Sequence, residues 1–172
     1  EYMSQAEQAK QKLDAVSPCM CLAKWQQTSL HLTTGMTNSC YHPPLHKIDK
    51  QAIKQNPSAL HNTAQKKSQR QQMIDGVRPE GCSYCWRLED NGQMSDRLYR
   101  SGEPWAMQEY ENILQNPQQD VVPTYVEVDF NSACNFKCSY CSPQFSTAWA
   151  QETEEHGAYP TQPPHNDATH FE

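Results

Sequence analysis

The feature that most constrains this chain is a group of three closely spaced cysteines. Cys134, Cys138 and Cys141 form the pattern C-x3-C-x2-C. Thiolate sulfur is the usual ligand of iron–sulfur clusters, and three thiolates can hold three irons of a 4Fe-4S cube while the fourth iron has no protein ligand. A structural zinc site normally closes with four ligands. The spacing therefore favours a cluster with one open iron, and leaves open a chance spacing or a zinc shared with His156.

The residues on either side of this loop predict a strand before it and a helix after it. The run 124–130 alternates and is rich in β-branched and aromatic residues, as is typical of a β-strand. Ser146 can cap a helix that runs to about His156, and Gly157 with the prolines beyond it ends regular structure. The predicted order is strand, cysteine loop, helix.

An aromatic residue, Tyr140, directly precedes the last cysteine, and with it the loop resembles the signature of the radical S-adenosylmethionine (SAM) enzymes. The resemblance implies that the three cysteines bind a 4Fe-4S cluster and that Tyr140 packs beside bound SAM. In that superfamily the open iron binds the amino and carboxylate groups of SAM. An electron from the cluster then cleaves the sulfonium to give a 5'-deoxyadenosyl radical. The resemblance also implies an electron donor such as flavodoxin or ferredoxin.

A second group of cysteines lies upstream and comprises Cys19, Cys21, Cys40, Cys82 and Cys85. Gly35 lies between two of them, so Cys21 and Cys40 are joined by the run C-x13-G-x4-C, and the last two form C-x2-C. Four thiolates at Cys21, Cys40, Cys82 and Cys85 would saturate a second 4Fe-4S cluster. They would equally suit a tetrahedral zinc ion. Cys19 is interpreted as a spare thiol that could substitute for Cys21.

This upstream pattern resembles the opening of the SPASM and twitch domains, which hold auxiliary iron–sulfur clusters in many radical SAM enzymes. A wider similarity to a twitch-domain radical SAM family runs from about Cys21 to Pro160, and its matching stretches include 21–25, 39–43, 57–63, 84–86 and 123–128. The resemblance implies an α+β auxiliary-cluster domain at residues 1–118. The first β/α unit of an incomplete (β/α) radical SAM barrel would follow at residues 119–172.

The resemblance further implies an enzyme that abstracts a hydrogen from its substrate, with SAM as cosubstrate or regenerated cofactor, and other SPASM and twitch enzymes suggest a peptide or protein as that substrate. A complete (β/α) barrel takes about 200 to 250 residues. After Cys141 the sequence has room for one helix and a proline-rich tail. We therefore expect a fragment of a longer enzyme, without the downstream residues that contact SAM in the family.

Two other functions stay open at this point. The chain could be a non-catalytic binding module stabilised by zinc at the four upstream cysteines, or a protein that binds clusters but not SAM. His42 and His46 lie near Cys40 and could join a metal, although histidines beside prolines in a loop are more typical of an exposed position.

Composition limits the remaining classes. Only 36% of the residues are hydrophobic, which predicts a thin core, and a net charge of −6 disfavours a nonspecific nucleic-acid surface. No apolar run approaches the roughly 18 residues of a membrane span. Eight cysteines could form a disulfide framework, but their tight clusters favour metal sites in a reducing compartment. We expect a cytoplasmic protein with neither a membrane nor a nucleic-acid partner.

Propensity and capping residues predict the other elements. Helices are expected over 4–15, 49–55, 57–75, from Cys82 to about Asn91, and 103–115, and a hairpin is expected over 28–40. The basic run 66–70 is expected to be a solvated helix face, or less often a docking patch for an acidic partner.

Overall fold

The computed structural model describes residues 3–143 and 145–158. Its helices are α1 (Gln5–Asp14), α2 (Ala23–Gln26), α3 (Lys50–Gln55), α4 (Ala64–Ile74), α5 (Ser83–Asp90), α6 (Asp96–Gly102), α7 (Pro104–Met107), α8 (Tyr110–Gln115) and α9 (Thr147–His156). Its strands are β1 (Gln27–His31), β2 (Met36–Asn38), β3 (His46–Lys47) and β4 (Tyr125–Asp129). Short 3-10 helices cover Pro57–Leu60 and Glu80–Cys82.

Three predicted helices are confirmed, and each begins at a polar residue that caps it, a role that was expected of Asp49 and Ser146. Ser4 and Glu7 form a reciprocal capping box at the start of α1. The side chain of Asp49 accepts from the backbone N–H of Gln51 at the start of α3, and Ser146 caps α9. Local side-chain chemistry therefore sets these helix starts.

The helix predicted over 57–75 is wrong at its beginning. Residues Pro57–Leu60 form a 3-10 helix, and α4 begins only at Ala64. The break arises because the Thr63 hydroxyl accepts from the backbone N–H of Lys66 at 3.2 Å and starts a new helix. The predicted end at Gly76 is confirmed, since its φ of 73° permits the N–H of Val77 to bond the Gln72 carbonyl at 2.8 Å.

The helix predicted over 103–115 is also divided. It consists of α7 and α8, which are separate short helices, and α6 precedes them where no helix was predicted. Pro104 occupies the first position of α7, as suits a residue without a backbone N–H. The helical type of this region was predicted correctly, but its division into short segments was not.

The four strands form one sheet in the order β3-β2-β1-β4. The predicted hairpin is confirmed by β1 and β2, which adjoin in the sheet and turn at Gly35 with a φ of 68°. β2 pairs antiparallel with β3, with Met36 opposite Lys47. The predicted strand before the cysteine loop is confirmed as β4.

The core lies among the helices. Its largest buried apolar side chains include Leu13, Trp25, Met73 and Leu98, and it also contains Cys21, Cys82 and Cys85. The indole N–H of Trp25 donates to the Pro117 carbonyl at 2.8 Å. Only 36% of the residues are hydrophobic. Buried cysteines and charged side chains therefore occupy part of the interior together with the apolar residues.

The described residues divide into two compact units. One comprises the chain up to Leu30 together with 34–128, and the other comprises 31–33 together with the residues from Asp129 onward. β4 belongs to the first unit except for its last residue, Asp129. The domain boundary at residues 118 and 119 stays a prediction. Within the described residues, no helix has both the length and the apolar character to cross a membrane.

Candidate metal centre

The structure brings four of the upstream cysteines to one cavity. Cys21, Cys40, Cys82 and Cys85 all line it. Three are buried, and Cys40 is half-buried. The cavity volume is about 20 Å³. Residues up to 64 positions apart in sequence (21 to 85) thus share one internal site.

Three separate segments supply these side chains. Cys21 precedes the first turn of α2, and Cys40 follows β2 after the hairpin. Cys82 and Cys85 lie at the start of α5. Cys82 is the last residue of a short 3-10 helix, and Cys85 lies in the first turn of α5. The predicted placement of the C-x2-C pair at a helix entrance is confirmed.

Backbone N–H groups act electrostatically on three of the four thiols. They belong to Lys24 for Cys21, His42 for Cys40 and Arg97 for Cys85, and each acts to lower the pKa of its thiol. Donors to sulfur stabilise the thiolate form and are one of the means by which proteins adjust iron–sulfur clusters. Such donors are a feature expected of ligand thiolates.

Burial outweighs these donors. Burial raises the pKa of Cys40 to about 12 and that of Cys85 to about 11, and it also raises the pKa of Cys21. The three thiols are therefore protonated at neutral pH unless a metal displaces the proton. All eight cysteines are free, so the structure contains none of the disulfides considered as an alternative.

Cationic side chains also line the cavity. Arg97 donates to the Glu89 carboxylate at 2.6 Å, and Arg100 donates to the Tyr41 hydroxyl at 2.6 Å. Lys24 is the third, and its Nζ donates to Oε1 of Gln69 at 2.9 Å. The positive charges of Lys24 and Arg97 both act to lower the pKa of Cys21. The cavity is thus suited electrostatically to an anionic occupant.

The arrangement of the sulfurs bears on which group would fit. Among the described residues, no three His, Cys, Asp or Glu side chains stand together so that they could hold one metal ion. A zinc ion needs its sulfurs about 2.3 Å from a single centre. In a 4Fe-4S cube each thiolate binds a different iron. The four cysteines around this cavity are therefore not arranged as ligands of a single ion.

The downstream cysteine loop lies between β4 and α9, in the predicted order. Cys134, Cys138 and Cys141 are each half-buried, and the structure does not bring their three sulfurs together as ligands of one ion. The Cys141 backbone N–H donates to the Cys138 carbonyl at 3.0 Å. The loop therefore leaves all three cysteines partly accessible to solvent.

The first turn of α9 holds this loop in shape. The Thr147 hydroxyl donates to the Cys134 carbonyl at 3.0 Å, and the Ser146 hydroxyl donates to the Phe136 carbonyl at 2.8 Å. The indole N–H of Trp149 donates to the Cys138 carbonyl at 3.0 Å. These donors tie three carbonyls of the loop to one helix end.

Tyr140, the predicted contact for SAM, is 91% exposed. A hydrogen bond with Cys138 raises the pKa of the Tyr140 phenol. The ring therefore lies beside the cysteine loop with nearly all of its surface facing solvent. Its packing against a bound cofactor stays a prediction.

The other candidate ligands take up different roles. Cys19 does not line the four-cysteine cavity, and its Sγ lies 3.4 Å from the Gly76 carbonyl. His42 lines the cavity, but its Nε2 lies 2.7 Å from an Asp96 carboxylate oxygen and its ring stacks on Tyr84. His46 lies 2.8 Å from the Thr63 hydroxyl. His156 lies at the exposed end of α9, beside Glu155.

The prediction that residues 66–70 form a solvated helix face is wrong for two of its three basic residues. Lys66 and Arg70 are fully buried, whereas Lys67 pairs with Asp120. Burial lowers the pKa of Lys66 to about 7 and that of Arg70 to about 10. The overlooked signal is their spacing of four residues, which places both on one helix face with Met73.

The Lys66 ammonium is held by hydroxyls rather than by a carboxylate. It donates to the hydroxyls of Thr28 and Thr37 at 2.8 and 2.9 Å. The Arg70 guanidinium donates to the Asn62 side-chain carbonyl at 2.7 Å. Composition alone did not indicate this pair of buried basic side chains.

Comparison with known proteins identifies no family for this chain: no protein-family model, no curated protein and no solved structure matches it.

Proposed function

We propose that this chain is an iron–sulfur protein of the radical SAM type, in which a twitch-like auxiliary-cluster part precedes the first β/α unit of a catalytic barrel. The observation that supports it best is the shared cavity of Cys21, Cys40, Cys82 and Cys85. Four thiols from three segments line it, and backbone N–H groups act to lower the pKa of three of them. Four thiolates are the full ligand set of a 4Fe-4S cluster.

In this proposal the two cysteine sets have different tasks. The four upstream cysteines hold the auxiliary cluster, while Cys134, Cys138 and Cys141 hold the cluster that leaves one iron open. With SAM bound, a cluster held by these three downstream cysteines would supply the electron for reductive cleavage of the sulfonium. Its order of β4, loop and α9 supports this assignment.

The chain's own residues then act on position and access. The donors from Ser146, Thr147 and Trp149 fix the carbonyls of the cysteine loop, so that the three thiols start from a restricted set of positions. Tyr140 lies at the surface of the same loop, where it is available to cover one side of a bound SAM. Orienting a cofactor and excluding water are the usual contributions of a protein to such chemistry.

The proposal includes partners and a compartment. A cluster that delivers one electron requires a reductant, for which a flavodoxin or ferredoxin is suitable, and the substrate is proposed to be a peptide or protein by analogy with other SPASM and twitch enzymes. Eight free thiols suit a reducing compartment, so we propose the cytoplasm.

The test is iron and sulfide content after anaerobic reconstitution. The wild type is compared with a triple variant, Cys134→Ala, Cys138→Ala and Cys141→Ala, and with a quadruple variant in which the four upstream cysteines are replaced by alanine. We expect about 8 irons per chain in the wild type and about 4 in each variant. Cys19→Ala is the matched control and should retain the full content.

The competing zinc-stabilised binding module gives a different result. It predicts one zinc per chain, no iron or sulfide, and a colourless protein, because Zn²⁺ has a filled d shell. Zinc without iron in the wild type would therefore exclude the radical SAM proposal. If iron is lost only in the quadruple variant, the chain binds the auxiliary cluster alone and has no SAM-cleaving site.

A further inference from the structure

A buried positive charge beside the four-cysteine cavity lacks an acidic partner. Lys24 is 2% exposed and lines the cavity. Its Nζ donates to the neutral side chain of Gln69. Within the described residues, no carboxylate oxygen lies within 4.0 Å of this nitrogen. The interior therefore holds an ammonium without a protein counter-ion.

Other buried basic groups near Lys24 make its positive charge still less favourable. Arg70 is buried as well, and its Nε donates to the Lys24 backbone carbonyl at 3.2 Å. Lys66 adds a further buried basic group on the same helix, α4. Transfer of a charge out of water is costly unless an opposite charge lies nearby, and like charges increase that cost. The protein must either bear this cost or offset it with an anion.

The cysteines that line the cavity with Lys24 become anionic when they bind a metal, whereas the carboxylate of Asp96 in the same wall already pairs with His42. The positive charge of Lys24 acts directly on Cys21 and Cys40. The negative charge of four thiolates exceeds the positive charge of Zn²⁺, and it also exceeds that of a 4Fe-4S core. With all four cysteines bound, either group is therefore an anion. Arg97 differs, because Glu89 already neutralises it.

We propose that the Lys24 ammonium is the counter-cation of an anionic metal–thiolate group held by Cys21, Cys40, Cys82 and Cys85. This inference rests on the proposed function for the identity of the bound group, a 4Fe-4S cluster. The negative charge of the group does not depend on that identity. Lys24 is a positioning residue: it binds no metal itself, and it makes the loaded site more stable and easier to reduce.

The experiment uses the full chain with Cys134→Ala, Cys138→Ala and Cys141→Ala, so that one site remains. Into this parent are placed Lys24→Met, which removes the charge, and Lys24→Arg, which keeps it. Lys66→Met is the matched control, because Lys66 is equally buried but does not line the cavity. Each protein is loaded with iron and sulfide or with Zn²⁺, whichever the parent takes up.

The first readout is the concentration of chelator that removes half of the metal. Lys24→Met should weaken retention about tenfold or more, which is the scale of one partly screened charge pair. Lys24→Arg should stay close to the parent, and so should Lys66→Met. Equal retention in Lys24→Met and the parent overturns the inference.

The second readout separates a charge role from packing. Unloaded Lys24→Met should unfold at a higher temperature than the unloaded parent, because an uncompensated buried charge is gone, whereas the loaded variant should unfold at a lower temperature than the loaded parent. For an iron-loaded site, the midpoint potential should fall by about 59 mV, a tenfold change for one electron. Destabilisation of both states with unchanged retention indicates a packing role and overturns the inference.

The two proposals fail in different ways. Zinc uptake without iron, combined with the Lys24→Met effect, excludes the cluster and supports the counter-cation. Iron uptake without that effect excludes the counter-cation and keeps the cluster. A parent that takes up neither metal overturns both.

Discussion

The guanidinium of Arg97 lies 2.6 Å from a carboxylate oxygen of Glu89, and the Arg97 side chain is 2% exposed. The same guanidinium donates to the Met20 carbonyl at 2.7 Å. Arg97 thus joins α6 to α5 and to the segment before α2, at the wall of the cysteine cavity. This pair is the clearest contrast to Lys24, whose charge has no such partner.

Replacement of the acidic partner should therefore be costly. Glu89→Gln leaves the buried Arg97 charge with only the more distant Asp14 carboxylate, whose oxygen lies 3.6 Å away. Breaking a buried pair typically costs about 3–5 kcal/mol, and the remaining Asp14 contact puts the expected loss at the lower end of that range. We expect a loss of that order in the free energy of unfolding, measured by urea denaturation. Asp90→Asn is the control, since Asp90 pairs with Arg78 in solvent and should change stability by less than about 1 kcal/mol. Similar losses in both variants would contradict the structure.

The packing of α1 against α6 depends on one glycine. A Cβ added at Gly102 would lie 3.0 Å from the Gln5 backbone carbonyl oxygen, which cannot rotate away as a flexible side chain could. Gly102→Ala should force the two helices apart and cost about 1–3 kcal/mol in the free energy of unfolding. Glu103→Ala, at an exposed neighbouring position, should stay within about 0.5 kcal/mol. An unchanged melting temperature in Gly102→Ala would be inconsistent with this helix contact.

Acid should unfold the protein in part through His61. Burial and the charges of Lys66 and Arg70 lower the pKa of His61 from 6.5 to about 3. The unfolded chain therefore binds a proton at His61 that the folded chain rejects, so this stability is present above pH 6.5 and is lost as the pH falls toward about 3. The expected slope is about 1.4 kcal/mol per pH unit.

Comparison of the wild type with His61→Gln isolates this contribution. The variant should lose less unfolding free energy between neutral pH and pH 4 than the wild type loses, when both are measured by urea denaturation across that range. His156→Gln is the control, because His156 is exposed at the end of α9. Parallel pH profiles for wild type and His61→Gln would show that His61 is not buried among these cations.

Local patterns predicted the elements whose ends depend on one side chain. Asp49 and Ser146 each start a helix where a cap was expected, and the alternating run at β4 is a strand. A cap or a strict alternation acts over a few neighbouring residues, so a sequence displays it directly. The break at Thr63 shows the limit, since a second capping residue inside a helical run divided it.

Features that depend on contacts between distant segments were harder to predict from the sequence. That Cys21, Cys40, Cys82 and Cys85 bind one group was expected from their chemistry and a resemblance, and it stays a prediction, although all four line one cavity. The burial of Lys66 and Arg70 was not expected, because basic residues on a polar helix normally face water. Their burial depends on hydroxyl and carbonyl acceptors from distant segments, and only the fold brings those together.

The contact between α9 and the cysteine loop can be tested at Ser146. Its hydroxyl donates to the Phe136 carbonyl and accepts from the Trp149 backbone N–H. Ser146→Ala removes both bonds, and loss of such a cap typically costs about 1 kcal/mol. We expect faster amide hydrogen exchange in the loop and in the first turn of α9. Ser139→Ala, at an exposed loop position, is the control and should leave exchange unchanged.

Chemical labelling distinguishes the two cysteine sets in protein prepared without metal. Burial raises the pKa of Cys85 to about 11 and shields its sulfur, so it should react with iodoacetamide at pH 7.5 only on the timescale of local unfolding. Cys138 and Cys141 are half-buried in a surface loop and should react first. Peptide mass spectrometry at successive times gives the order. Labelling of Cys85 as fast as that of Cys138 would contradict the buried cavity, whereas protection of both after metal loading would indicate that each set has bound its group.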